Sequence, residues 1–370
     1  WGATLFVLTR LIKVNKLWKV PREAARISAW SFILAWLSLL IAVILLYIAT
    51  GDWYIHSNMS DDNAINYGMR LCINLLIVLA VIIPAAQFPF QGWLIESVAA
   101  PTPVSAIMHA GIVNAGGVIL TRFSPVFNDE IAISLLLIIA SISVLLGSGI
   151  SLVHVDYKRQ LVGSTISQMG FMLVQCALGA YSAAIVHLIL HGVFKATLFL
   201  QSGSVVKRFN IPTPPSVKKS YGWLVFGRLL AILIAIIFWL NSDRHAYDVL
   251  SALILAWSLM VSWNQLVAFS HGLIGRVIGV CMIIVVVIVY IITHHYFFTT
   301  LSNVDIHIVS PPLISIILSI AIIVFGSMLS IWVSRRRESK AFAKLYLWLI
   351  KVGEAKTQSI ESHPSYLKRF

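Results

Sequence analysis

Ten separate stretches of this 370-residue chain are apolar over a length near the ~20 residues that a helix needs to cross a bilayer. They fall at 29–50, 67–86, 101–122, 130–153, 160–179, 182–206, 222–240, 246–270, 275–298 and 312–333. Only helices and closed barrels satisfy every backbone group inside lipid, and runs of this length are helical. The expected fold is therefore all-α, a polytopic membrane protein with about ten transmembrane helices. Composition agrees: 59% of residues are hydrophobic, only 11% are charged, and the mean hydropathy is +0.90. Soluble chains carry about 25% charged residues.

The loops set an expected orientation. The first, "RLIKVNKLWKVPREAAR", holds six Lys and Arg against one Glu, which places it in the cytoplasm by the positive-inside rule. "HVDYKRQ", "KRFNIPTPPSVKKS" and the "SRRRESK" tail then fall inside and are all basic. "GDWYIHSNMSDDNAIN", "SPVFNDE" and "NSDRHAYD" fall outside, and none is rich in lysine. Most of the +13 formal charge thus lies on the cytoplasmic face, as topological anchors that also attract anionic lipid. A nucleic-acid role would need a soluble basic domain, which the pattern lacks.

Four regions follow: 1–28, the end of an upstream helix and a basic cytoplasmic loop; 29–206, a transmembrane core; 207–334, further transmembrane helices; and 335–370, a basic cytoplasmic tail. Within that tail, "AFAKLYLWLIKVGEAK" reads as an amphipathic helix on the membrane surface or a docking site for a partner. The opening "WGATLFVLTR" starts in mid-apolar run without methionine, as the tail of an earlier span would. Cys72, Cys176 and Cys281 sit in three different spans with no paired spacing, so they are expected to be small buried residues rather than zinc ligands or disulfides. No P-loop, GxGxxG or HExxH pattern is present.

The chemistry lies inside the apolar runs. "HLILHGVFKATLFL", residues 187–200, places His187, His191 and Lys195 four residues apart, which on a helix is one slowly drifting stripe with steps of roughly 6 Å. His109, in "SAIMHAGIVNAGG", is a fourth deep ionisable group. A lysine at mid-membrane costs roughly 2.5–3.5 kcal/mol on insertion scales, and such groups usually mark ion or proton pathways. Histidines and waters can pass protons near neutral pH, and a desolvated lysine can load and release one. Structural hydrogen bonding between helices is the competing reading. Pro84, in "LLIVLAVIIPAAQFPFQGW", removes a backbone donor and should interrupt its helix. Broken helices usually line an ion path, because their freed carbonyls need water or ions. Thr102 is the expected cap of the helix restarting at "APTPVSA", and the glycines of "VNAGGV" read as helix packing.

Three segments carry a family likeness. "FPFQGWLIESVAAPTPVSAIMHAGIVNAGG", "VDYKRQLVGSTISQMGFM" and "GAYSAAIVHLILHGVFKATLFLQSGSVV" resemble the antiporter-like proton-translocating subunits. These are the large membrane subunits of respiratory NADH:quinone oxidoreductase and of Mrp-type cation/proton antiporters. The resemblance covers about 67–206 and implies an inverted-repeat bundle with at least one broken helix and a polar axis at mid-membrane. It implies that His109, His187, His191 and Lys195 belong to that axis. Asp156, Lys158, Arg159, Ser164, Thr165, Ser167 and Gln168 match the family's "DxKRxLxxSTISQ" stretch near the cytoplasmic end. The chain departs from the pump subunits at Pro84, where they carry a lysine, and "AWSLMVSWNQLVAF" lacks the lysine and proline of a second broken helix.

A narrower likeness is to the membrane subunit of two-component inorganic-carbon transporters of the DAB or Mps type. It implies a large, cytoplasmic, zinc-containing, carbonic-anhydrase-like partner. The chain itself is then a non-enzymatic subunit of the cell (inner) membrane, without cofactor or metal, passing protons or sodium ions to energise uptake of carbon dioxide or bicarbonate. The alternatives are a subunit of a respiratory or Mrp-type machine and a structural scaffold.

Overall fold

The computed structural model describes residues 1–14, 17–55, 65–202, 221–240, 272–302, 312–336 and 338–355, with 252, 256, 259, 260 and 263 between them. The chain divides into two compact units, 1–206 with 304–370 and 207–303. Among the described residues regular structure is helical, without a strand.

The first unit opens with α1 (Gly2–Ile12), α2 (Lys19–Thr50) and α3 (Tyr67–Ile82). Next come α4 (Gly92–Glu96), α5 (Thr102–Ala110) and α6 (Ala115–Arg122). Three longer helices follow, α7 (Glu130–Val153), α8 (Tyr157–Ala177) and α9 (Tyr181–Ser202). The second unit contributes α10 (Tyr221–Leu240) and α11 (Gly272–Ser302). The chain then returns to the first unit with α12 (Leu313–Arg335) and α13 (Lys340–Gly353).

Among the described residues, five helical segments are long and apolar enough to span a bilayer: α2, α5 with α6, α7, α9 and Leu313–Ser330 of α12. The apolar stretch at 246–270 lies almost wholly outside the described residues, so the expected ten helices are not counted out. Within the second unit, the Trp263 indole donates to the Trp223 carbonyl at 2.8 Å and stacks on its ring.

Short polar side chains fix where helices start, by accepting from orphan N–H groups of the first turn. Asn66 accepts from Gly68 N, Asp129 from Ile131 N and Ala132 N, and Asp156 from Lys158 N and Arg159 N. Thr102 is not such a cap: it is already the first helical residue of α5, after Pro101.

Two interruptions shape the core. The second span, expected to reach residue 86, ends at Ile82, because Pro84 offers no N–H and Ala86 adopts a left-handed backbone with φ 52°. Gln87 N donates back to the Ile82 carbonyl at 2.9 Å, and the Trp93 indole donates to the Ile83 carbonyl at 2.7 Å. The third span breaks as well. At Gly111 α5 gives way to a 3-10 turn, Ile112–Asn114, before α6 resumes.

Helices α7 and α8 meet backbone to backbone. A Cβ at Gly163 would lie 2.6 Å from Ser151 N and 2.9 Å from the Gly147 carbonyl oxygen, so only glycine fits there. This close approach holds the first turns of α8 against the last turns of α7. Cys176 is buried, but Cys72 and Cys281 lie on exposed faces. Helix faces turned to lipid tolerate such soft apolar side chains, which is why burial does not follow from residue type here.

Candidate functional site

Helix α9 has a wet-chemistry face and an oily face. Val193, Phe194 and Leu200 are exposed, whereas His191, Lys195 and Phe199 are turned into the protein and His187 is half-buried. The stripe drawn from the spacing thus points inward, against α5 and α8.

Lys195 is 1% exposed. Its Nζ donates to the Leu161 carbonyl oxygen of α8 at 3.0 Å. The same oxygen accepts from the Thr165 hydroxyl at 2.9 Å, and Thr165 Oγ1 lies 3.0 Å from His109 Nδ1. A hydroxyl has one hydrogen. Since Thr165 gives its hydrogen to Leu161, it receives the His109 bond, which puts the proton of neutral His109 on Nδ1 and leaves Nε2 as the basic atom. The His109 ring is further clamped by Phe199, stacked at 4.1 Å and 18°. Residues 86 positions apart in sequence, His109 and Lys195, are therefore joined through one carbonyl.

His187 repeats the arrangement one layer away. Its Nδ1 lies 3.1 Å from Gln175 Oε1, an acceptor, so Nδ1 again carries the hydrogen and Nε2 is basic. His187 and His191 follow edge to face, 6.0 Å between ring centroids. His191 is 5% exposed, and neither ring nitrogen has a protein partner.

The break in the third span faces this row. Gly192 brings α9 against the Ala110 carbonyl; a Cβ there would sit 2.9 Å from that oxygen. Asn114 Nδ2 donates to the same oxygen at 2.7 Å, and Asn114 Oδ1, buried, has no protein partner. The Ala110 carbonyl and Asn114 make one polar corner at the break, beside Gly192 of α9.

The other residues singled out above divide by location. Asp156 caps α8, and Lys158 Nζ donates to the Ala100 carbonyl at 2.9 Å, tying α8 to the start of α5. Ser167 pairs with Ser148 of α7 at 2.9 Å. Ser164 is half-buried, and Gln168 is exposed, seven residues after Leu161 and seven before Gln175 on one face of α8. Pro84 is buried at the end of α3. Nearby, Gln87 Nε2 donates to Ile166 of α8 at 3.3 Å while its Oε1 has no protein partner. Gln175, Asn114, Phe199 and Gln87 were not picked out from the sequence. Gln175 and Asn114 are amides inside apolar runs, the signal that could have found them.

Among the described residues no group of three or more His, Cys, Asp or Glu is placed to hold a metal ion. What the arrangement can do is relay charge: basic nitrogens, an ammonium and freed carbonyls succeed one another through the interior of the bundle.

Residues 1–279 match the model of the family described as "NADH:quinone oxidoreductase/Mrp antiporter, TM". Over its whole length the chain is 56% identical to the "Probable inorganic carbon transporter subunit DabB" of Bacillus subtilis (strain 168), covering 74% of that relative. It is 54% identical to the protein of the same name from Bacillus anthracis, covering 72% of it. Among solved structures, the Mrp complex from Dietzia sp. DQ12-45-1b contains a chain similar to 96% of this one, with TM-score 0.52 and 22% identity, 38% of that chain being covered. That likeness concerns the fold alone.

Proposed function

The chain belongs to the NADH:quinone oxidoreductase/Mrp antiporter transmembrane family, and from that premise we propose that it is the cation-conducting subunit of an inorganic-carbon uptake system. Its full-length similarity to proteins named inorganic carbon transporter subunits supports the cargo. The conducting role rests on one observation: a single carbonyl, Leu161 O, receives both the Lys195 ammonium and the Thr165 hydroxyl that orients His109. Buried protonatable groups joined in this way are costly as mere packing and suited to passing charge.

In this reading protons or sodium ions enter along His187, His191, Lys195 and His109, with Asn114 and the Ala110 carbonyl lining the break. His109 and His187 take and give up a proton at Nε2, while Thr165 and Gln175 hold each ring by Nδ1. The flow drives one-way hydration of carbon dioxide in a cytoplasmic, carbonic-anhydrase-like partner, whose zinc supplies the hydration chemistry. The chain is then a non-enzymatic subunit of the cell membrane with its tail in the cytoplasm.

Bicarbonate accumulation in cells carrying the chain with and without its partner tests this. Accumulation should need both proteins and collapse with an ionophore. Accumulation that ignores the ionophore, or none at all, overturns it. The respiratory or Mrp-type alternative predicts many small membrane subunits co-purifying, in place of one large soluble protein.

A further inference from the structure

Helix α13 plays no part in the polar row, yet its placement is specific. It begins at Lys340, soon after α12 ends at Arg335. At that exit Trp332 is half exposed and the Arg336 guanidinium lies 4.4 Å from its ring centroid, the aromatic–cation pairing found where spans meet headgroups. The helix then packs back onto α7. Leu349 fills the space above Gly149, one turn before α7 ends, where a Cβ would lie 2.8 Å from Leu349 Cδ2. Gly353 sits directly on His154 Nε2. Burial, with Arg159 as the lesser cause, holds the His154 imidazole below its ordinary range, against the opposing pull of Glu354 and Asp156. A neutral imidazole suits that contact. These two anchors fix α13 against the end of α7.

Its two faces differ. Phe342, Leu345, Tyr346, Leu349 and Ile350 are half-buried toward the protein. Lys340, Lys344 and Lys351 are exposed and fall within an arc of about 40° at the helical pitch. Leu347, 64% exposed, lies beside them and Trp348, 52% exposed, at the edge.

We propose that this outer face of α13 binds the headgroups of anionic phospholipids. The charge is complementary, since exposed Arg335 and Arg336 extend the lysine stripe. The depth is that of a headgroup layer, and Leu347 and Trp348 supply the short apolar insertion typical of interfacial helices. A soluble acidic protein would match the charge but not this depth.

The test uses the intact protein in detergent, with phosphatidylglycerol and phosphatidylcholine as probes and bound lipid counted by native mass spectrometry. The unaltered protein should retain phosphatidylglycerol in preference to phosphatidylcholine. Replacing Lys340, Lys344 and Lys351 by Gln should weaken that preference roughly tenfold. All three side chains are exposed, so folding is not at stake. Unchanged preference in the triple variant overturns the proposal. So does loss of a co-purifying soluble protein with lipid retention intact, which would make the face a protein-docking surface.

Discussion

Thr165 is the pivot at the scale of single residues. It is fully buried, gives its hydrogen to Leu161 O and holds His109 by Nδ1. Thr165→Val keeps the shape but leaves the His109 Nδ1–H without an acceptor, a loss of about 1–3 kcal/mol for a buried donor. The ring is then free to turn over. Cation flux in vesicles should fall about tenfold in this variant while assembly is retained, and Thr165→Ser should restore it. Equal flux in Thr165→Val would remove Thr165 from the pathway. The spacing of His187, His191 and Lys195 on one face was readable directly, because a four-residue step is a property of one helix. Their partners were not. Gln175 and Leu161 come from α8, and which helix lies against which is decided by packing that no local pattern encodes. Thr165 itself was marked only through the family likeness.

At the scale of elements, the contrast between the two breaks is instructive. Pro84 announces its break, since proline cannot donate and clashes with the preceding turn. The break at Gly111 was hidden, because "HAGIVNAGG" reads equally well as a small-residue packing surface. Only the switch to a 3-10 turn at Ile112–Asn114 discloses it. The α7–α8 seam carries the other element-level consequence. Gly163 meets backbone atoms of Ser151 and Gly147, which cannot move aside as a flexible side chain would. Gly163→Leu should therefore destabilise the protein by about 3 kcal/mol or more. In a thermal unfolding scan in detergent, the midpoint should drop by several degrees. A midpoint unchanged within error would mean that the seam is looser than described.

For the molecule as a whole, the membrane class was written in composition and in the alternation of basic and non-basic loops. Family membership was carried by long motifs in order between residues 67 and 206. The return of 304–370 to the first unit was not legible, because return of the chain to an earlier unit is a long-range event. The central claim is that buried protonatable groups on α9 and α5 carry charge across the bilayer. It is tested most directly by cation influx into proteoliposomes holding the complex, driven by an imposed gradient, with the intact chain compared with Lys195→Met. The account predicts influx through the intact chain and its near-complete loss in Lys195→Met, with the complex still assembled. Influx at the same rate in both would contradict it.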